Sequence, residues 1–195
     1  MLSPSNRRKS IDETRTIIND AKVKAIIRRC AETAYFEGIS FVSSTTGETP
    51  DLTAQDITQI ESMTDSMSNQ YWESIQSMRE TLQRQEQLVR DERTKKTAGA
   101  AFTEGFSIFD MINNTLTGVL GVLAVQSLNA AILENTKKVS PQIPSFRFVT
   151  VGDDRVCPIC TPLDQTIMSE STGNIQQPPL HRRCRCFLFP IVKRN

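Results

Sequence analysis

The sequence predicts a mainly α fold, in which a helical body over residues 11–140 follows a flexible basic arm at residues 1–10 and carries a small, cross-linked C-terminal α+β or β-hairpin module at residues 145–195. Three observations predict it. Apolar residues recur at steps of three and four from Ile57 to Leu82, as on one face of a helix. Small and apolar residues then dominate from Ala98 to Lys138, as expected of a buried helical centre. Beyond Pro141 and Pro144 the period changes to that of strands, and four of the five cysteines gather there with the only histidine.

At 195 residues and 21.9 kDa the chain has room for one modest core and a small appended unit, but not for two large domains. Its 23 basic and 22 acidic side chains nearly cancel, so no global charge drives it onto nucleic acid or an anionic surface. Met1 to Ser10 is polar and basic with no apolar stretch behind it, so no secretory leader and no oxidising compartment are expected.

The first helix is predicted from near Ile11, with Ile17, Ile18, Ala21, Ala25, Cys30 and Ala34 near one face and Gly38 as its C-cap. Cys30 falls inside it as a small buried residue. Gly38 to Asp51, rich in Ser, Thr and Gly, is expected to be a loop. Thr53 then serves as N-cap with Asp56 three residues on, a variant of the capping box, ahead of a helix carrying Ile57, Ile60, Met63, Met67, Tyr71, Ile75, Met78 and Leu82. So thin a seam needs a partner helix, in the same chain or by self-association with a neighbouring subunit.

Ala98 to Lys138 is expected as one bent helix or two, interrupted near Asn113 to Gly118, and Pro141 and Pro144 end the helical region. The uncharged stretch Met111 to Leu133 has the length of a bilayer span, but Asn113, Asn114, Thr115, Thr117, Gln126, Ser127 and Asn129 would carry polar groups into hydrocarbon, so no membrane contact is expected. Phe146 to Val151 and Cys186 to Val192 favour strands that can pair. The prolines and glycines between them leave too little apolar surface to order so much loop without a cross-link.

That cross-link is offered by Cys157-Pro-Ile-Cys160, a spacer of twenty residues, and His181-Arg-Arg-Cys184-Arg-Cys186. Two thiolates in a tight knuckle and a second Cys/His pair close a tetrahedron suited to Zn2+, and a closed tetrahedron is structural and not catalytic. The module is therefore expected to be zinc-stabilised through Cys157, Cys160, His181 and Cys184, with Cys186 as alternate ligand. On an extended segment Cys184 and Cys186 would point the same way; a turn would separate them. The competing arrangements are a pair of disulfides or unlinked thiols.

Arg182, Arg183 and Arg185, with Lys193 and Arg194, make a basic strip around the second half-site. It can meet nucleic-acid phosphates, or merely balance thiolate charge and face water. No complete catalytic set appears: there is no phosphate-cradling glycine loop, no Ser-His-Asp set and no histidine pair, so an enzyme is not expected.

Taken together, Phe146-Arg-Phe-Val-Thr-Val-Gly-Asp-Asp-Arg-Val-Cys-Pro-Ile-Cys-Thr-Pro-Leu-Asp and Pro178-Pro-Leu-His-Arg-Arg-Cys-Arg-Cys resemble the C-terminal domain of the phage Mu protein F-like family of minor head proteins. The resemblance covers roughly the last quarter of the chain. Gln165 stands where that family usually has glycine, and Arg182 where a proline usually follows the histidine. What the resemblance implies is a head-morphogenesis protein of a tailed phage, assembled in the host cytoplasm and carried in the virion. It would sit at or near the portal or inner capsid, with portal or major capsid protein as partners and packaged DNA within reach. The alternative from the residues alone is a zinc-containing nucleic-acid-binding protein.

Overall fold

The computed structural model describes residues 20–95, 108–140, 144–173 and 175–192. The predicted basic arm at 1–10 and the first turns of the predicted helix lie outside them. Among the described residues three long helices, α1 (Asp20–Thr46), α2 (Ala54–Lys95) and α3 (Ile108–Val139), precede a three-stranded antiparallel sheet of β1 (Ser145–Val149), β2 (Ile167–Ser169) and β3 (Phe187–Ile191). The fold is mainly α with a small C-terminal sheet, as the sequence predicts.

Helix α1 buries Val23, Ile27, Ala31, Tyr35, Gly38 and Val42, a stripe at steps of four and three. It does not stop at Gly38, and most of the expected loop is helix. A Cβ on Gly38 would lie 2.6 Å from Ala131 Cβ and 2.7 Å from the Leu128 carbonyl oxygen, so glycine is there to let α1 and α3 cross closely. The helix ends at Gly47, whose φ of 82° is the left-handed conformation of a C-cap glycine and whose N–H donates to Ser43 O at 2.9 Å.

Helix α2 starts as predicted. The Thr53 N–H donates to Asp56 Oδ2 at 2.6 Å and Thr53 Oγ1 receives the Asp56 N–H at 3.4 Å, a capping box closed by aspartate. Ile60, Met63, Met67 and Tyr71 on the predicted seam are buried against Val23, Ile27, Ala31 and Tyr35 of α1 and Val119 and Leu123 of α3. Asp56 itself is 1 % exposed. It receives the Tyr35 hydroxyl at 2.7 Å and the Lys138 ammonium at 2.5 Å, which joins all three helices at one end. At the far end the Trp72 indole N–H donates to Asp20 Oδ1 at 2.6 Å.

Helix α3 runs unbroken through Asn113 to Gly118, where an interruption was expected. Its segment Ile112–Val139 is long and apolar enough to cross a membrane by length and composition. Here Ser127, Asn129, Asn135 and Thr136 are fully buried and hydrogen-bonded inside the protein: Asn135 and Thr136 return to carbonyls one turn back, and Ser127 Oγ meets Met63 Sδ at 3.7 Å.

Strand β1 is central in the order β2-β1-β3, so the predicted pairing of its two apolar strands is present and β2 is an addition. Phe146 faces Pro190 and Phe148 faces Leu188, and this face is buried with Val42 of α1 and Ile132 of α3. The start of β3 is tied to α3 by Asn129, which accepts the Leu188 N–H at 2.7 Å and donates to the Cys186 carbonyl at 3.2 Å. The sheet thus packs with Val42 and Ile132 in a buried cluster distinct from the one that joins the three helices.

Candidate metal centre

Cys157 and Cys160 sit on the loop that leaves β1. The knuckle is tight because the Cys160 and Thr161 N–H groups both reach the Cys157 carbonyl, at 3.1 and 3.0 Å, and Pro162 then opens a 3-10 turn over Thr161–Leu163. Cys160 N–H also lies 3.3 Å from Cys157 Sγ. This amide is the kind of donor that stabilises a thiolate. Burial pushes the Cys157 thiol up, but the Cys160 amide and thiol outweigh it and hold Cys157 below its ordinary value.

His181, Cys184 and Cys186 approach from the segment before β3. Cys157 Sγ is 2.9 Å and Cys160 Sγ 3.2 Å from His181 Nε2, and Cys160 Sγ is 3.9 Å from Cys184 Sγ. His181 Nδ1 stands 2.6 Å from the Arg182 carbonyl, which can only accept, so Nδ1 carries the proton and Nε2 turns its lone pair to the thiols. That tautomer leaves Nε2, the nitrogen facing the thiols, free to ligate a metal.

Cys184 and Cys186 are both buried while Arg185 between them is exposed. Burial alternates through these three residues, and both thiols lie within 4.8 Å of Cys160 Sγ. Burial, with the neighbouring Cys157 and Cys186 thiols, pushes the Cys160 thiol well above its ordinary value, and burial pushes Cys186 up to about 11. Two sets of donors, Cys157-Cys160-His181 and Cys160-Cys184-Cys186, each lie within 4.8 Å of one another and have Cys160 in common.

The donor set fits a thiophilic ion. Thiolates on one tetrahedral zinc stand ~3.8 Å apart, the edge set by Zn–S bonds of about 2.3 Å, and the Cys160–Cys184 separation of 3.9 Å matches. The two contacts to His181 are shorter than the roughly 3.5 Å edge between sulfur and nitrogen on such an ion, so the imidazole would have to recede slightly to share one with the thiolates. The cluster can hold a metal ion, which would replace thiol protons and tie the β1 loop to the start of β3.

Around the cluster, Asp153 grips Arg185 through two parallel bonds of 2.6 Å, tying the loop before Cys157 to the residue between Cys184 and Cys186. The Asp153 carboxyl is held below the usual carboxylate range mainly by that guanidinium. Asp164 accepts the Thr150 N–H at 2.8 Å, and Gln165 turns with φ of 60°.

The five predicted donors are therefore brought together. The three arginines diverge: Arg185 is engaged by Asp153, whereas Arg182 and Arg183 are exposed. Asp153 and Asn129 were not anticipated as supports of the site. No local spacing singled out either, since Asp153 meets Arg185 32 positions on and Asn129 meets residues 57 and 59 positions away. Compared with known proteins, the chain matches no family model, and no curated protein or solved structure is significantly similar to it.

Proposed function

We propose that the chain is a minor head protein of a tailed phage, in which one structural zinc closes the C-terminal module at residues 145–195 and the helical body makes subunit contacts. The observation that carries the reading is the convergence of Cys157, Cys160, His181 and Cys184/Cys186 on one cluster in the order of the resembling motif. A second observation supports it. Gln165 adopts a left-handed backbone, the conformation glycine favours, at the position where the resembling family carries glycine.

In this reading the zinc is held by Cys157, Cys160, His181 and one of Cys184 and Cys186, with no coordination position left for a reacting molecule. The role is assembly and not catalysis, with portal or major capsid protein as partners in the virion and self-association through the helices as a further contact.

The test is the copy number of this chain in purified virions, measured by mass spectrometry against portal and major capsid protein. A fixed ratio of a few to a few dozen copies per particle is the expected result. Absence from particles at every assembly stage would overturn it.

The second reading, a zinc-containing nucleic-acid-binding protein, is favoured by the exposure of Arg182 and Arg183 beside the cluster. It requires DNA affinity that falls steeply with salt and weakens when both arginines are neutralised. Because Arg185 is already paired with Asp153, replacing it should act on the fold of the loop more than on the salt slope.

A further inference from the structure

A tetrahedral ion takes four ligands, and the cluster offers five donors. Three of them, Cys157, Cys160 and His181, form one compact group, with His181 aimed by the Arg182 carbonyl and Cys157 fixed by the knuckle amides. The fourth position is different. Cys184 and Cys186 lie two apart ahead of β3, both buried, both on the side of Cys160, and all three sulfurs are within 4.8 Å of one another.

Each of the two has a backbone anchor of its own. Cys184 N–H is anchored to the His181 carbonyl at 3.1 Å, and the Cys186 carbonyl is anchored to Asn129 at 3.2 Å. Arg185 is pinned outward by Asp153, which keeps both flanking thiols turned inward whichever of them ligates.

We infer that the fourth coordination position is shared, with Cys184 and Cys186 interchangeable, so that either thiol alone suffices to close a site for one divalent thiophilic ion on Cys157, Cys160 and His181. This rests on the metal reading above and adds a property to it. The site is redundant in its last ligand and stays loaded when either thiol is lost to alkylation or oxidation. The ligand count stays at three thiolates and one imidazole in both states, because the exchange swaps one sulfur for another.

The experiment uses the full chain with zinc, and with Co2+ as a spectroscopic probe, in wild type, Cys184→Ser, Cys186→Ser and the double variant. Alanine versions run in parallel, since a buried serine hydroxyl brings a cost of its own, and far-ultraviolet circular dichroism checks that the helices persist. Both single variants are expected to bind one ion per chain with the wild-type three-thiolate charge-transfer spectrum. The double variant is expected to bind about 100-fold more weakly or worse, since losing even an outer-shell partner costs about 10- to 100-fold.

Two results overturn the inference while leaving a metal site in place: one single variant that fails as badly as the double, in both its serine and alanine forms, or a wild-type spectrum of four thiolates. A wild-type chain that takes up no ion overturns the metal reading and this inference with it.

Discussion

The ammonium of Lys138, in the last turn of α3, lies 2.5 Å from Asp56 Oδ2 in the first turn of α2. Asp56 is almost fully buried, and the desolvation that would raise its pKa is outweighed by Lys138, Thr53 and Tyr35, so its carboxyl is held well below the usual carboxylate range. A group depressed in the folded state stabilises above its unfolded pKa of about 3.9, and that stability is lost as pH falls through the folded value. Urea unfolding of the wild type should therefore lose stability progressively below about pH 4. Asp56→Asn should be less stable at pH 7 and show a flatter acid limb. Its cost should fall between the ~1 kcal/mol of an exposed pair and the roughly 3–5 kcal/mol of a fully buried one. Identical acid limbs in the two proteins would remove Asp56 from this role.

Gly38 gives a prediction of unusual sign. Replacing glycine by alanine inside a helix ordinarily stabilises by up to about 1 kcal/mol. Here the new methyl would meet Ala131 Cβ at 2.6 Å and the Leu128 carbonyl at 2.7 Å, and a backbone atom cannot swing away. Gly38→Ala should destabilise by about 1–3 kcal/mol, and pairing it with Ala131→Gly should recover part of the loss. A rise in Tm on the single substitution would mean that α1 and α3 are not so close.

The Tyr71 hydroxyl is buried with no hydrogen-bond partner among the described residues. A buried polar group left unsatisfied costs about 1–3 kcal/mol. Tyr71→Phe keeps the ring, which meets Trp72 edge-on at 5.0 Å, and deletes only the oxygen, so the variant should be as stable as the wild type or more so. A clear loss in thermal unfolding would show that the hydroxyl has a partner.

Chelation should act unevenly along the helices. Cys160, Cys184 and Cys186 share a buried cluster with Val42 and Ile132, whereas Ile27, Tyr35, Met67, Tyr71 and Leu123 belong to another. Stripping the metal should therefore speed amide exchange in the sheet and in the turns around Val42 and Ile132, while amides near Tyr71 keep their protection. Exchange that rises only after residue 145 would mean that the module is insulated from the helices.

How far the sequence was legible depends on whether a signal was local. The Thr53–Asp56 cap, the seam through Ile60, Met63, Met67 and Tyr71, the strands at Phe146 and Phe187, and the gathering of five metal donors all follow from spacing along a short stretch. Gly38 misled because a glycine chosen for contact with Ala131 looks the same in sequence as one chosen to end a helix, and Gly47 performs the latter task. The Asn113 to Gly118 segment misled because its polar residues suggested a break that the continuous backbone of α3 absorbs. Strand β2 is three residues long and lacks an alternating pattern to find. Asn129 acts on residues 57 and 59 positions away, a distance no periodicity reveals.

The amide of Asn129 has a consequence for strand pairing. A strand with unpaired N–H and C=O groups along its rim is a template for any other extended chain. By occupying Leu188 N–H and Cys186 C=O from within, α3 removes two of the groups along the start of β3 from that role, and on the other side of the sheet β2 offers only three residues. One buried asparagine thus leaves fewer backbone groups on that side of the sheet for an invading strand to pair with.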